Sequence, residues 1–271
     1  MDNIDIDFAI NNNAIWVRRY EDTNEVNTLT EVLTKLHVRD SALSVVDVGC
    51  GNGRSIELLK KILNNKSKII GIDIQQENIK YCNYKLQDNR LKLEWINAID
   101  FFSLKENESR FDLILFSWSL FDMFNESDTS VKYHKLSSLL DIAKKCLRKE
   151  GFIIVLQPTK GGLFEQLLSK FLPGSDDDYK LVHNFLLDKN FRGAKNAFPK
   201  VNDQWAIWSE FKYSTIEDVY RGIASILYLE QRELLTQKQF YVVWEEFCKE
   251  HGQYLGANLK LTDCVNLYYW V

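Results

Sequence analysis

Residues 45–53 read Val-Val-Asp-Val-Gly-Cys-Gly-Asn-Gly, and this stretch restricts the fold more than any other part of the chain. An apolar run from Leu43 to Val48 enters a turn with glycines at 49, 51 and 53, and Ser55 to Leu63 then shows the i, i+3, i+4 apolar spacing of a helix. The order is strand, glycine loop, helix. Glycine has no Cβ and tolerates positive φ, so the backbone can turn sharply and come close to a nucleotide-type ligand at the helix start.

The spacing narrows the ligand. A dinucleotide fingerprint is G-x-G-x-x-G, whereas this loop is G-x-G-x-G with Asp47 two positions before the first glycine and no Walker lysine after it. The segment closely resembles the first motif, V-D-V-G-C-G-x-G, of the Rossmann-like S-adenosylmethionine-dependent methyltransferases. That resemblance implies an α/β fold: a seven-stranded, mostly parallel sheet with helices on both faces and an antiparallel last strand. It also implies S-adenosyl-L-methionine as cofactor, with Asp47, Gly49, Cys50 and Gly51 around its methionine part.

Later segments fit the same plan. Lys68 to Ile74 is a short apolar strand ending in Asp73, about twenty residues after Gly53, as one helix and a tight turn require. A carboxylate there offers two acceptor oxygens to a pair of ribose hydroxyls, and the adjacent Ile74 is a further cofactor-contacting candidate. Gln75 to Leu86 is a second helix and Leu91 to Ala98 alternates as a third strand. Asp100 and Phe101 follow where the resemblance implies an acceptor for the adenine amine and a neighbour lining the ring; Asp100 is equally suited to capping a short helix. Phe111 to Ser117 is the fourth strand, Val131 to Leu147 a helix closed at Gly151, and Phe152 to Gln157 the fifth strand. The resemblance is continuous from about residue 43 to 158.

The carboxyl end of the fourth strand departs from one branch of the family. Enzymes that methylate a base amine or a glutamine amide carry Asn/Asp-Pro-Pro-Tyr/Phe here, and this chain has Ser117-Trp118-Ser119-Leu120. Trp118 is expected to line the methyl-transfer pocket, Ser117 to contact the cofactor, and Asp122 to hold or deprotonate an acceptor amine. Ahead of the first strand, a segment in many relatives folds over the cofactor, which implies roles for Arg19 and Tyr20; the alternative is a surface turn with Trp16 packed against the sheet.

Domain organisation follows as an N-terminal cap and helix over 1–42 and a cofactor-binding domain over 43–271. Trp205 to Tyr213 reads as the sixth strand and Cys264 to Val271 as the last. Between them a helical pair occupies about 214–252, with capping boxes at Ser214/Glu217 and Thr236/Gln239 and an end at Gly252. The pair is a lid over the substrate pocket or else core helices. In architecture alone it resembles small-molecule methyltransferases of the histamine N-methyltransferase type. The run Asp176-Asp177-Asp178 reads as a solvated turn or helix start.

Composition sets the remaining limits. A net charge of -4, from 34 basic and 38 acidic residues, gives no support to a nucleic-acid footprint. There is no positively charged, apolar leader at the start and no membrane-length apolar run, and the five cysteines lack C-x-x-C spacing, which together point to reduced thiols and a cytoplasmic protein. The four histidines form no metal pattern, and the fifth strand ends in Gln157-Pro158 rather than an acid, so no metal is expected. The reading is an enzyme that transfers methyl to N or O of a small-molecule acceptor by in-line displacement. RNA or protein methylation is the alternative, with Lys189, Arg192, Lys195 and Lys200 as its basic face, and a non-catalytic partner-binding protein is the third.

Overall fold

The apolar run into the glycine loop forms β1 (Ser44–Val48), and the amphipathic segment after it forms a helix over Arg54–Ile62. In chain order the helices are α1 (Asn24–Lys35), α2 (Arg54–Ile62), α3 (Gln76–Lys85), α4 (Ala98–Ser103), α5 (Thr129–Lys145), α6 (Leu163–Ser169), α7 (Ser175–Asp188), α8 (Ile216–Gln231) and α9 (Gln237–Leu255). The remaining strands are β2 (Lys68–Asp73), β3 (Leu91–Trp95), β4 (Phe111–Ser117), β5 (Leu147–Pro158), β6 (Arg192–Gly193), β7 (Ala206–Lys212) and β8 (Lys260–Trp270). The structure, a computed structural model, describes residues 24–35, 41–120, 123, 128–158, 162–172, 175–193, 206–212, 215–231, 235–255 and 260–270.

The chain divides into two compact units. One comprises Asn27–Pro158, Asp178–Ile207 and Val265–Val271 and holds the sheet. Its strand order is β3-β2-β1-β4-β5-β8-β6. β1 to β5 pair in parallel and β8 runs antiparallel to β5. The order reverses between β1 and β4, which opens a crevice at the strands' carboxyl ends, where open α/β sheets bind ligands. Val46, Val48, Ile70, Ile72, Ile114, Phe116, Ile153 and Val155 put one face of the sheet into a core with Leu136, Leu139 and Leu140 of α5. Strands buried on both faces read as apolar runs rather than alternation, and Phe152 to Leu156 of β5 is such a run.

The expectation of seven full strands is corrected: six, β3-β2-β1-β4-β5-β8, make the body of the sheet. Trp205–Tyr213 was the expected sixth strand, but its described part, β7, pairs with β8 off the main path. The seventh place in the order belongs to the two-residue β6, whose Arg192 and Gly193 pair with Tyr269 and Tyr268. Alternation along a segment marks a strand without naming its partner, and two residues show no alternation at all.

The other unit comprises Met1–Val26, Thr159–Asp177 and Trp208–Cys264. The expected helical pair forms as α8 and α9, and with α6 it encloses a core of Leu167, Val219, Ile223, Phe240, Trp244, Phe247 and Leu261. The capping box of α8 lies one residue later than expected, between Thr215 and Asp218, whose backbone N–H groups and side chains bond reciprocally at 3.1 Å. That of α9 is Thr236 with Gln239. Gly252 does not end α9, which continues to Leu255. Gly151 caps no helix either: it lies within β5, where an added Cβ would meet the carbonyl oxygen of Phe111 at 2.9 Å. The run at 176–178 falls in the first turn of α7. No helix among the described residues is long and apolar enough to cross a membrane.

Candidate functional site

The glycine loop closes by hydrogen bonding to the strand beside it. Gly49 and Cys50 both donate their N–H to the Ile72 carbonyl at 2.9 Å, Gly51 donates to the Asp73 carboxylate at 2.8 Å, and Gly53 donates to the Cys50 carbonyl at 2.9 Å. All three glycines have positive φ, 70°, 52° and 82° in order. At Gly49 an added Cβ would lie 2.5 Å from the Ser119 Cβ, while at Gly51 it would meet nothing within 4 Å. The loop is thus packed tightly on its β4 side and open at Gly51, which leaves room for a ligand to approach the backbone. Its first three N–H groups are already bonded within the protein. The loop therefore contributes close approach, rather than the simple N–H cradle that the glycines alone suggest. Cys50 offers no side chain to the opening, because its thiol is buried beside Cys82 and pushed well above the usual thiol range, first by that contact and then by burial.

Asp73 organises this end of the sheet. One carboxylate oxygen accepts from Gly51 N–H, and the other from Gln75 N–H at 2.8 Å and Asn78 Nδ2 at 3.3 Å. Burial raises its pKa, and these three hydrogen bonds oppose the rise. The oxygen that accepts from Gly51 keeps a second lone pair for a ribose hydroxyl. Asp73 thus ties the loop to β2 besides standing where a ribose would bind.

Asp47 is different. It is fully buried on β1, neither carboxylate oxygen has a hydrogen-bond partner, and burial lifts its pKa to about 7 against the opposing field of Arg54. A buried acid without a bonded partner is costly, and a cationic group is the ligand that would offset that cost. Ser117, at the carboxyl end of β4, also has a buried hydroxyl without a partner. By register Asp47 pairs with Leu115, so Ser117, two residues further on, lies on the same face of the sheet.

Beyond Ser117, Trp118 takes φ 57°, a left-handed conformation strained by about 1–3 kcal/mol for a bulky residue. Its N–H donates to the Leu156 carbonyl at 2.8 Å, and the Arg54 guanidinium lies 5.1 Å from its ring centre. Ser119 then donates its hydroxyl to the Val48 carbonyl at 2.6 Å, joining the ends of β4 and β1. Trp118 is half-buried at the carboxyl end of β4.

The adenine end needs one correction. Phe101 does not line the crevice: it is 1% exposed and sits in the core with its ring 5.4 Å from Phe102 and 5.8 Å from Phe111. The short α4 turns residue 101 inward while leaving Asp100 outside. Asn97 caps α4 by accepting the Asp100 N–H at 2.8 Å, and its amide bonds the Asp100 carboxylate. The exposed apolar surface here is instead Ile74, 70% exposed, and Trp95, 60% exposed, whose indole N–H donates to the Ile74 carbonyl at 2.9 Å. Trp95 was missed because it reads as one more residue of an alternating strand; its place directly opposite Asp73 in the register was the available signal. Arg54 was missed as an ordinary first-turn helix residue. Arg19, Tyr20 and Asp122 lie outside the described residues. Of the basic residues put forward for RNA, Lys189 is turned onto Ser137 and the Phe185 ring.

Fold and site define a class: an α/β transferase with a nucleoside cofactor at the topological switch of its sheet. Residues 39–209, well over half of the 271, match the family described as "Methyltransferase domain". The chain belongs to that family, and it is an S-adenosyl-L-methionine-dependent methyltransferase. No curated protein sequence matches it. Among solved structures it is similar to the YcgJ protein of Bacillus subtilis, at 11% identity over 90% of this chain and 97% of that one, with a TM-score of 0.57. It is equally similar to the BH2331 protein of Bacillus halodurans C-125, at 10% identity over 89% and 96%, with a TM-score of 0.57. A SAM-dependent methyltransferase from Aquifex aeolicus matches at 17% identity over 60% and 78%, with a TM-score of 0.44. At these identities the likeness is one of fold.

The residues present fit the cofactor. The partnerless Asp47 carboxylate suits its ammonium group, the opening at Gly51 admits its backbone-hugging part, Asp73 suits the ribose, and Ile74 with Trp95 offers a flat apolar surface to the base.

Proposed function

We propose that this protein methylates a nitrogen or oxygen of a small-molecule acceptor. The observation that supports this best is the pair at the carboxyl end of β4: the buried, partnerless Ser117 hydroxyl and the Trp118 ring held beside it. When bound, S-adenosylmethionine supplies an electrophilic methyl group on a sulfonium. The protein's part is then to position and to exclude water. An acceptor lone pair held on the S–CH3 axis gains most of its rate advantage from orientation, with no covalent step on the enzyme. The Trp118 face favours a cationic or planar acceptor, and the Ser117 hydroxyl can donate to or accept from its heteroatom. Asp122 is the residue we assign to take the acceptor's proton. The net charge of -4 and the absence of Asn-Pro-Pro-Tyr at this strand end fit the same reading.

The test is release of S-adenosylhomocysteine from S-adenosylmethionine in the presence of pooled amines, phenols and carboxylic acids, and separately of RNA and of protein extracts. Turnover with a small-molecule pool, measured at saturating cofactor, that falls at least tenfold in Trp118→Ala supports the proposal. Turnover confined to the RNA or protein fraction overturns it.

A further inference from the structure

We propose that Arg54, held in place by the Trp118 ring, is the residue that recognises the cofactor's α-carboxylate, so that Arg54 and Asp47 together read the amino-acid end of the ligand. The proposal rests on the reading that the site takes S-adenosylmethionine.

Three observations converge on it. First, Arg54 is the opening residue of the nine-residue α2, which begins at Gly53 with no side-chain cap hydrogen bond. The first-turn N–H groups of such a helix favour an anion, and here a guanidinium stands at the same end. Second, Arg54 is near enough to Asp47 for its field to be the leading influence lowering that acid's pKa, while the Asp47 oxygens receive no hydrogen bond. Asp73 is the other charge that acts on Asp47, and it raises the pKa. The site thus presents an anion and a cation side by side, each able to meet the opposite charge of a zwitterion. Third, the Arg54 guanidinium lies over the Trp118 ring at 5.1 Å, and Trp118 keeps a strained backbone conformation, φ 57°, anchored on Leu156. Stacking pre-organises the planar guanidinium, so less freedom is lost when it forms a bidentate bond to a carboxylate. This contact also couples the two halves of the reaction site: the ring that faces the acceptor is the ring that orders the cofactor's carboxylate ligand. The family resemblance would have given the carboxylate to a cation ahead of β1; the geometry gives it to one on α2.

Two ligands separate this role from a structural one. S-adenosylhomocysteine carries the α-amino acid end, and 5′-methylthioadenosine keeps the nucleoside and thioether without it. Calorimetric titration of both should show wild type favouring S-adenosylhomocysteine. Arg54→Gln should lose about 10- to 100-fold in affinity for S-adenosylhomocysteine, in the range of one charge-assisted hydrogen-bonded pair, with 5′-methylthioadenosine changed less than about twofold. Arg54→Lys should restore part of the loss, and Trp118→Leu, which frees the guanidinium, should lose several-fold for the first ligand only. Equal losses for both ligands, or none for either, overturn the assignment. Failure of wild type to bind either ligand overturns the parent cofactor reading as well.

Discussion

Replacing Asp47 by Asn should change how stability depends on pH, by an amount fixed by the burial of this one carboxyl. Burial raises its pKa from 3.8 to about 7 in the folded protein, and Arg54 offsets part of the effect. A raised folded-state pKa means that the folded state holds the proton more tightly than the unfolded chain does. The contribution is therefore fully present below pH 3.8 and is lost as pH rises through about 7. For a shift of this size, the wild-type acid costs about 1.7 kcal/mol at pH 5 and about 4.3 kcal/mol at pH 8. Asparagine does not titrate, so Asp47→Asn should gain about 2.5 kcal/mol relative to wild type between pH 5 and pH 8. Urea unfolding of both proteins at the two pH values, followed by tryptophan fluorescence, measures that difference, because every other titrating group is common to both. The same charge that destabilises the free protein is the one the cofactor's ammonium needs, so Asp47→Asn should also bind S-adenosylhomocysteine at least tenfold more weakly at pH 8. A stability difference between variant and wild type that is the same at both pH values would refute the argument, since the carboxyl would then not be buried and partnerless.

Wild-type affinity for S-adenosylhomocysteine should rise with pH up to about 7 and level off above it, as Asp47 ionises, and titrations from pH 5.5 to 8 check this. Gly49→Ala combines a 2.5 Å clash against Ser119 with a φ of 70°; it should lower cofactor affinity by about two orders of magnitude, measured by calorimetry with circular dichroism as the folding control. Trp95→Ala should weaken S-adenosylhomocysteine binding by about 1 kcal/mol through loss of the ring that covers the base. Phe101→Ala, by contrast, should lower stability by about 3–5 kcal/mol as a core truncation and leave affinity nearly unchanged.

What the sequence showed plainly was whatever local chemistry determines. Gly49, Gly51 and Gly53 need positive φ, Asp73 ends an apolar run at a fixed distance from them, and both facts are visible in a string of letters. The buried strands were visible for a related reason, since parallel strands covered on both faces are continuous apolar runs. Pairing was hidden. Arg192–Gly193 holds the seventh place in the strand order because β8 is there to receive it, and no local feature of two residues says so. Phe101 and Trp95 exchanged expected roles for a similar reason. Trp95 closes β3 and Phe101 lies inside α4, and which one faces out depends on the three-residue reach of Asn97 to Asp100, which sets the start of α4. The Arg54 and Trp118 contact joins α2 to the end of β4, sixty-four positions apart in the chain, and periodicity carries no information at that range.

The cofactor pocket is the central claim, and direct titration of the folded, ligand-free protein with S-adenosylhomocysteine tests it. The expected result is one saturable site, lost in Asp73→Ala because that carboxylate fastens Gly51 and Gln75 and is the group proposed to hold the ribose. Absence of saturable binding by wild type, with circular dichroism showing the native fold, would contradict the account.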